Sequence, residues 1–184
     1  MKEIRFYRAN EKPYGAFSNL YRREIEFEGV TFATAEHAYQ AGKARKPAVR
    51  EWLMKAPSPS LLAMAAHGLY YWDITPGWST SKFDRMRGVL MAKFSQHPDL
   101  ADLLISTGTA RLVESATVDN AVNRLWGEVN GVGQNMLGIL LMETREKLIA
   151  AKAPKSKTKL KGKSAPASKK RRKVLSDLHA EAAE

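Results

Sequence analysis

The sequence predicts an α+β fold: a single, mostly α-helical domain with a small N-terminal β-sheet, followed by a disordered basic C-terminal tail. Three features carry the prediction. Apolar and polar residues alternate through residues 2–8 and 24–28 with the period of two that marks half-buried strands. Beyond Thr34 the spacing changes to the threes and fours of helices, in segments separated by Pro47, Pro57, Pro59 and Pro98. After residue 150 large apolar residues nearly vanish and lysine dominates, so residues 1–150 form the domain and 151–184 the tail.

Residues 2–8 make the opening strand and Glu11-Lys-Pro-Tyr-Gly15 a loop. Residues 24–28 and 30–32 form a hairpin turned at Gly29. Thr34 then caps a helix by accepting from the free N–H groups of its first turn, and this helix runs to near Lys46. Pro47 suits the first turn of the next helix, where its missing N–H has no partner to lose. That helix, about residues 48–55, stops at Pro57-Ser-Pro59. Residues 60–67 make a third, closed by Gly68. An aromatic loop spans residues 70–78. The longest helix begins at Ser79, with Phe83, Met86, Leu90 and Phe94 as its core-facing stripe and Lys82, Arg85 and Lys93 elsewhere. His97-Pro98 ends it. A further helix spans residues 98–105, and residues 110–114 make a short buried strand. Residues 115–135 read as one polar loop holding Asp119 and Trp126-Gly127, and a loop of that length in a small domain usually has a function. Residues 136–150 form the closing helix, packing through Leu137, Leu140, Leu141, Thr144 and Leu148.

The chain has no cysteine, which excludes disulfide and thiolate chemistry and favours a cytoplasmic protein. No apolar run approaches the roughly 20 residues of a membrane helix, so no membrane partner is expected. Charges in Met-Lys-Glu-Ile-Arg-Phe occupy the place where a secretion signal has its apolar core. Basicity is concentrated in one region. Residues 151–184 hold 11 Lys+Arg and 3 Asp+Glu, which places +8 of the +11 net charge in the tail and +3 in the domain.

On the Thr34 helix, Glu36, Gln40 and Lys43 fall at i, i+4 and i+7 and share a face. A first-turn carboxylate is also stabilised by the helix dipole, a structural role that competes with a chemical one. The glycines at 127, 131 and 133 lack the strand and spacing of a dinucleotide site, although a loop of N–H groups before Gln134 suits a phosphate. His37, His67 and His97 have no partners at metal-ligand spacing, no serine sits in a nucleophile elbow, and no metal or cofactor is expected. There remain Glu36 with Gln40 and Lys43, Asp119, Trp78, Trp126, Asn19 and Asn135. Two carboxylates among aromatic walls suit hydrolysis of a glycosidic bond, where positive charge grows on the sugar and an acid activates water. Trp78 and Trp126 serve equally as core residues, and Asp119 as a helix cap.

The run Gly15-x-Phe-Ser-Asn19, then Gly29 and Thr34-x-Glu36-His37-x-x-Gln40-Ala-x-Lys43, resembles the YbiA-like, or NADAR, family of N-glycosidases. The resemblance continues in order over about residues 5–150. It runs through Trp78, Ala-Lys-Phe94, Leu112-Val-Glu114, Asp119, Trp126-Gly127 and Gly133-x-Asn135-x-Leu-Gly138-x-x-Leu-Met142-x-x-Arg145. Two places depart from the family pattern. The family usually keeps its Asp a few residues before Trp-Gly, whereas residues 120–125 separate Asp119 from Trp126, and Leu20 stands where Phe is usual.

This resemblance implies metal-free cleavage of an N-glycosidic bond between a ribosyl phosphate and a base-like amine. The substrates implied are phosphoribosylamino-pyrimidine intermediates of riboflavin biosynthesis, with release of ribose 5-phosphate. Two alternatives follow from it: removal of ADP-ribose from modified guanine in nucleic acid, and a non-catalytic ADP-ribose or nucleic-acid binding module. Carried over by position, Glu36 is the main acid/base or cation-stabilising group and Asp119 the second carboxylate. Asn19, Gln40 and Lys43 orient the ribose and its phosphate, Trp78 and Trp126 wall the base, and Asn135 completes the substrate-binding set.

The tail lies outside the resemblance. Residues 152–173 cannot bury enough apolar surface to offset ordering and read as disordered. The Lys-Lys-Arg-Arg-Lys173 cluster resembles a nuclear localisation signal and equally a nucleic-acid arm. Nucleic acid is therefore a candidate partner, with affinity that falls steeply with salt, and a nuclear location follows if the cluster acts as an import signal in a eukaryotic host. Residues 174–182 suit one short helix.

Overall fold

In the computed structural model residues 2–153 are described; the expected tail disorder, its basic cluster and its short helix fall outside the described residues. The opening strand forms, but its partner is distant. β1 (Glu3–Phe6) buries Ile4 and Phe6 and presents the alternate residues outward. It pairs in parallel with β4 (Arg111–Ala116), which pairs in parallel with β5 (Glu128–Val129), giving the order β1-β4-β5. Arg111, on the central strand, binds Glu3 of one neighbour at 2.6 Å and Glu128 of the other. The hairpin is a separate sheet of β2 (Arg22–Phe27) and β3 (Val30–Thr34). Its turn puts both central residues at positive φ, Glu28 at 55° and Gly29 at 73°, the geometry that matches the twist of adjoining strands. The expected N-terminal sheet is thus two sheets, one of which draws two strands from the second half of the chain.

Helix ends follow local chemistry. α1 (Ala35–Lys43) starts where the Thr34 hydroxyl accepts from the His37 N–H. α2 (Pro47–Met54) has proline in its first turn, and α3 (Pro59–His67) is capped by Ser58 accepting from Leu61 N–H. α4 (Trp78–Gln96) and α5 (Pro98–Ser106) meet at His97. The expected polar loop is interrupted by α6 (Ala121–Trp126), capped by Asn120, and by β5. α7 (Met136–Lys152) closes the domain and buries Leu137, Leu140, Leu141, Thr144 and Leu148 as expected.

The main core gathers Phe6 and Phe17, the α4 residues Met86, Leu90 and Phe94, and Leu112 of β4 around α7. Phe83 departs from the expected stripe: it is half-buried, with its ring 5.7 Å from that of Trp126. Lys93 departs the other way and is 1% exposed. Its Nζ donates to the carbonyls of Ala16 at 2.6 Å and Ser18 at 2.9 Å, while burial pulls its pKa down to about 7. A buried amine thereby holds the turn that presents Asn19. Among the described residues no helix is long and apolar enough to cross a membrane.

Candidate active site

Phe6 and Glu114 stand opposite each other in the parallel pair β1–β4, so the chain beyond Phe6 emerges beside Glu114. The carboxyl ends of parallel strands are where backbone diverges and leaves room for a ligand. Here a cleft of about 410 Å³ opens, lined by Tyr7 and Arg8 after β1, Glu114, Asn19, Trp126, and Glu36, Tyr39 and Gln40 of α1. Met86 and Leu137 bring core residues to its wall.

Three of the expected residues meet in this cleft as a connected set. Glu36 is 8% exposed and Gln40 2%. Gln40 Nε2 donates to Glu36 Oε1 at 2.8 Å, one helical turn away, and Glu36 N–H donates to the Asn19 carbonyl at 3.0 Å. Asn19 Nδ2 donates to the Met86 sulfur at 3.2 Å. Asn19 Oδ1 and Gln40 Oε1 are buried without a donor from the protein. An unpaired buried acceptor is costly, so two in one cleft mark places where a ligand's hydroxyl or amine protons gain most.

Burial raises the Glu36 pKa, opposed by the Gln40 N–H and by the charge of Lys43. The Glu114 carboxyl is densely surrounded although part of the residue's surface stays open, and its pKa rises to about 7 through burial first and the Glu36 charge second. Trp126 meets Tyr39 edge-on at 5.6 Å and walls one side.

Lys43 and Trp78 stand in an adjoining hollow of about 670 Å³, which shares Tyr39, His67 and Trp126 with the cleft. Lys43 Nζ donates to the Ala66 carbonyl at 2.5 Å, and its pKa is lowered by burial. Trp78 lies 5.1 Å from Tyr39, ring to ring. Asn135 is buried at φ 52° ahead of α7 and is bound to the strand: Nδ2 donates to the Leu112 carbonyl at 2.8 Å and Oδ1 accepts from Glu114 N–H at 3.1 Å. It therefore fixes Glu114. Asp119 is exposed and is not among the cleft-lining residues. Both its oxygens are taken by Arg124, at 2.6 and 2.7 Å, which holds its carboxyl below the usual range.

In the sequence Glu114 belongs to a motif, Leu112-Val-Glu114, that assigns it no role. Its signal was an acid at the end of a short apolar strand, a place where burial costs a carboxylate most. Tyr39 and Arg8 gave no such signal.

A model of the NADAR domain matches residues 5–149. The N-glycosidase YbiA of Escherichia coli K12 is 37% identical over 150 residues, covering 81% of this chain and 90% of that protein. An N-glycosidase of Nostoc punctiforme is 34% identical over 148 residues, covering 79% and 92%. A riboflavin biosynthesis protein of Vibrio vulnificus is 30% identical over 146 residues, covering 79% of this chain and 38% of that longer protein. The NMR structure of Escherichia coli YbiA matches with a TM-score of 0.71 and 36% identity, covering 82% of this chain and 87% of that one. The chain belongs to the NADAR family and is a hydrolase of the N-glycosidase class.

Proposed function

We propose that the protein hydrolyses the N-glycosidic bond of ribosyl-phosphate compounds such as the phosphoribosylamino-pyrimidine intermediates of riboflavin biosynthesis, releasing ribose 5-phosphate. The observation that carries this reading is the pair of enclosed carboxyl groups, Glu36 and Glu114, in one aromatic-walled cleft. Breaking the C1′–N bond leaves an electron pair on nitrogen, which needs a proton. It also leaves positive charge over C1′ and the ring oxygen, which needs a compensating anion until water adds. Two enclosed acids whose charges interact hold a single proton over a range of pH, because ionising both puts like charges together. Burial favours the protonated form of both acids; the Gln40 N–H and the Lys43 charge oppose it at Glu36, whereas the Glu36 charge adds to it at Glu114, so the shared proton rests on Glu114. Glu114 accordingly donates to the departing nitrogen, while Glu36 faces the sugar cation and takes the proton of the incoming water. Asn19 Oδ1 and Gln40 Oε1 accept from ribose hydroxyls, and Trp126 walls the base. Asn135 acts through Glu114. Asp119, engaged by Arg124, has no step in this scheme.

A second reading, removal of ADP-ribose from modified guanine in nucleic acid, is favoured by the adjoining hollow. Tyr71 and Trp72 line it with Lys43, Trp78 and Lys82, a combination that suits a larger, stacked and charged group. Release of ribose 5-phosphate from a phosphoribosylamino-pyrimidine, in wild type beside Glu36→Gln and Glu114→Gln, tests the first reading. Each variant is expected to stay folded and to lose at least about 100-fold in rate. Full activity of Glu36→Gln would sink it.

A further inference from the structure

We propose that Arg8 and Arg22 form a phosphate-binding subsite at the rim of the cleft, taking the phosphate carried by the ribosyl group. The inference rests on the ribosyl-phosphate reading above and adds to it the part of the protein that recognises the phosphate. A groove of about 590 Å³ runs on from the cleft, with Arg8, Leu20 and Ser60 lining both. Arg22 lies along the groove and also lines the next hollow beside His37, whose pKa is lowered by burial first and by the Arg22 charge second. Neither arginine has an ion pair or a side-chain hydrogen bond among the described residues. Their neighbours differ in that respect. Arg23 is bound to Asp99 at 2.6 Å and Arg124 to Asp119, so those charges are already spent on the protein.

The charge of the cleft makes such a subsite necessary. The cleft presents the Glu36 carboxylate and two unpaired amide oxygens, all of which repel a phosphate. Lys43, given the phosphate by resemblance, donates to the Ala66 carbonyl and lines the adjoining hollow rather than the cleft. Arg8 is placed two residues beyond Phe6, the residue level with Glu114, and lines both the cleft and the groove that Lys43 does not reach. A guanidinium offers the planar fork of donors that matches phosphate oxygens. Ser60, on the first turn of α3, adds a hydroxyl to the same wall.

Calorimetric titration of the full-length protein with ribose 5-phosphate, set against ribose, tests the subsite without turnover. Wild type is expected to bind the phosphorylated sugar at least about 10-fold more tightly, by an amount that shrinks with added salt. Arg8→Gln and Arg22→Gln are each expected to lose about 5-fold or more of that preference, with ribose binding and melting temperature unchanged. The proposal is overturned if wild type shows no preference, if both variants keep it, or if they weaken the two sugars equally. It is also overturned if Lys43→Gln alone abolishes the preference. A parallel assay of base release separates the two claims. A wild type that releases no base while its arginines still discriminate ribose 5-phosphate refutes the glycosidase substrate and leaves the subsite standing. A wild type that releases base while both arginine variants keep its KM refutes the subsite alone.

Discussion

At the scale of single residues, the chemistry depends on two acids that are alike in type and unlike in surroundings. Burial raises the pKa of both; at Glu36 it is opposed by an amide N–H and a nearby ammonium charge, whereas at Glu114 the charge of Glu36 adds to it. If Glu114 is the proton donor, its protonated form is the active one and its pKa of about 7 sets the alkaline limb. Release should therefore fall about tenfold per pH unit well above neutrality, and should fall again on the acid side as Glu36, whose pKa burial raises, takes up a proton of its own. In Glu114→Gln the alkaline limb should disappear along with most of the rate. An unchanged limb in the variant would assign the titration to another group. Asp119→Asn should alter release less than about threefold, since the side chain is exposed and bound to Arg124. A loss comparable to that of Glu114→Gln would restore Asp119 to the role the family resemblance gives it.

At the scale of elements, the site depends on how closely α7 approaches β4. Gly138 makes the approach feasible: a Cβ there would lie 2.1 Å from the Leu112 carbonyl and 2.4 Å from Asn135 Nδ2. Both neighbours are rigid, one being backbone and the other hydrogen-bonded to that same backbone. Gly138→Ala should thus destabilise by about 2 kcal/mol or more, read as a lowered denaturant midpoint, and should displace Glu114 through Asn135. A neutral substitution would mean that the helix can slide without cost. Much of this scale was legible in the sequence. Thr34 and the prolines at 47 and 98 act through the orphan N–H groups of a first helical turn, a local effect. α6 was not legible, because six residues span fewer than two helical turns and are too few to show a period.

At the scale of the whole molecule, two buried titratable groups tie stability to pH in opposite senses. Glu114 keeps its proton in the folded protein up to about pH 7, against about 4.5 for the ordinary group, so between those values the folded state holds the extra proton and stability falls as pH rises. Lys93 releases its proton near 7 when folded, against 10.5 ordinarily, so above neutrality the unfolded chain holds the extra proton and stability rises with pH. The contribution of this pair is lowest near neutrality. Each limb has a slope of up to about 1.4 kcal/mol per pH unit. Urea unfolding at pH 5, 6 and 7 should show Glu114→Gln gaining on wild type as pH rises. A constant difference across that range would refute the assignment to Glu114.

Local sequence was enough for the hairpin, the starts of every helix but α6, the apolar face of the closing helix and the Glu36–Gln40 pair. Each depends on residues a few positions apart, whose relation the backbone fixes directly. Tertiary structure decided the rest. Glu3 and Arg111 meet across 108 residues of chain, and no local pattern encodes which strands pair. That pairing brings Glu114 level with Phe6 and sets Arg8 in the lining of the same cleft. Lys93 shows the same division. Its charge suggested an exposed face, yet the carbonyls of Ala16 and Ser18 compensate its burial, and only the folded chain brings those oxygens to it. Spacing along one helix can identify an acid with its partner. Which second acid shares the cleft depends on desolvation, and desolvation is a property of the packed molecule.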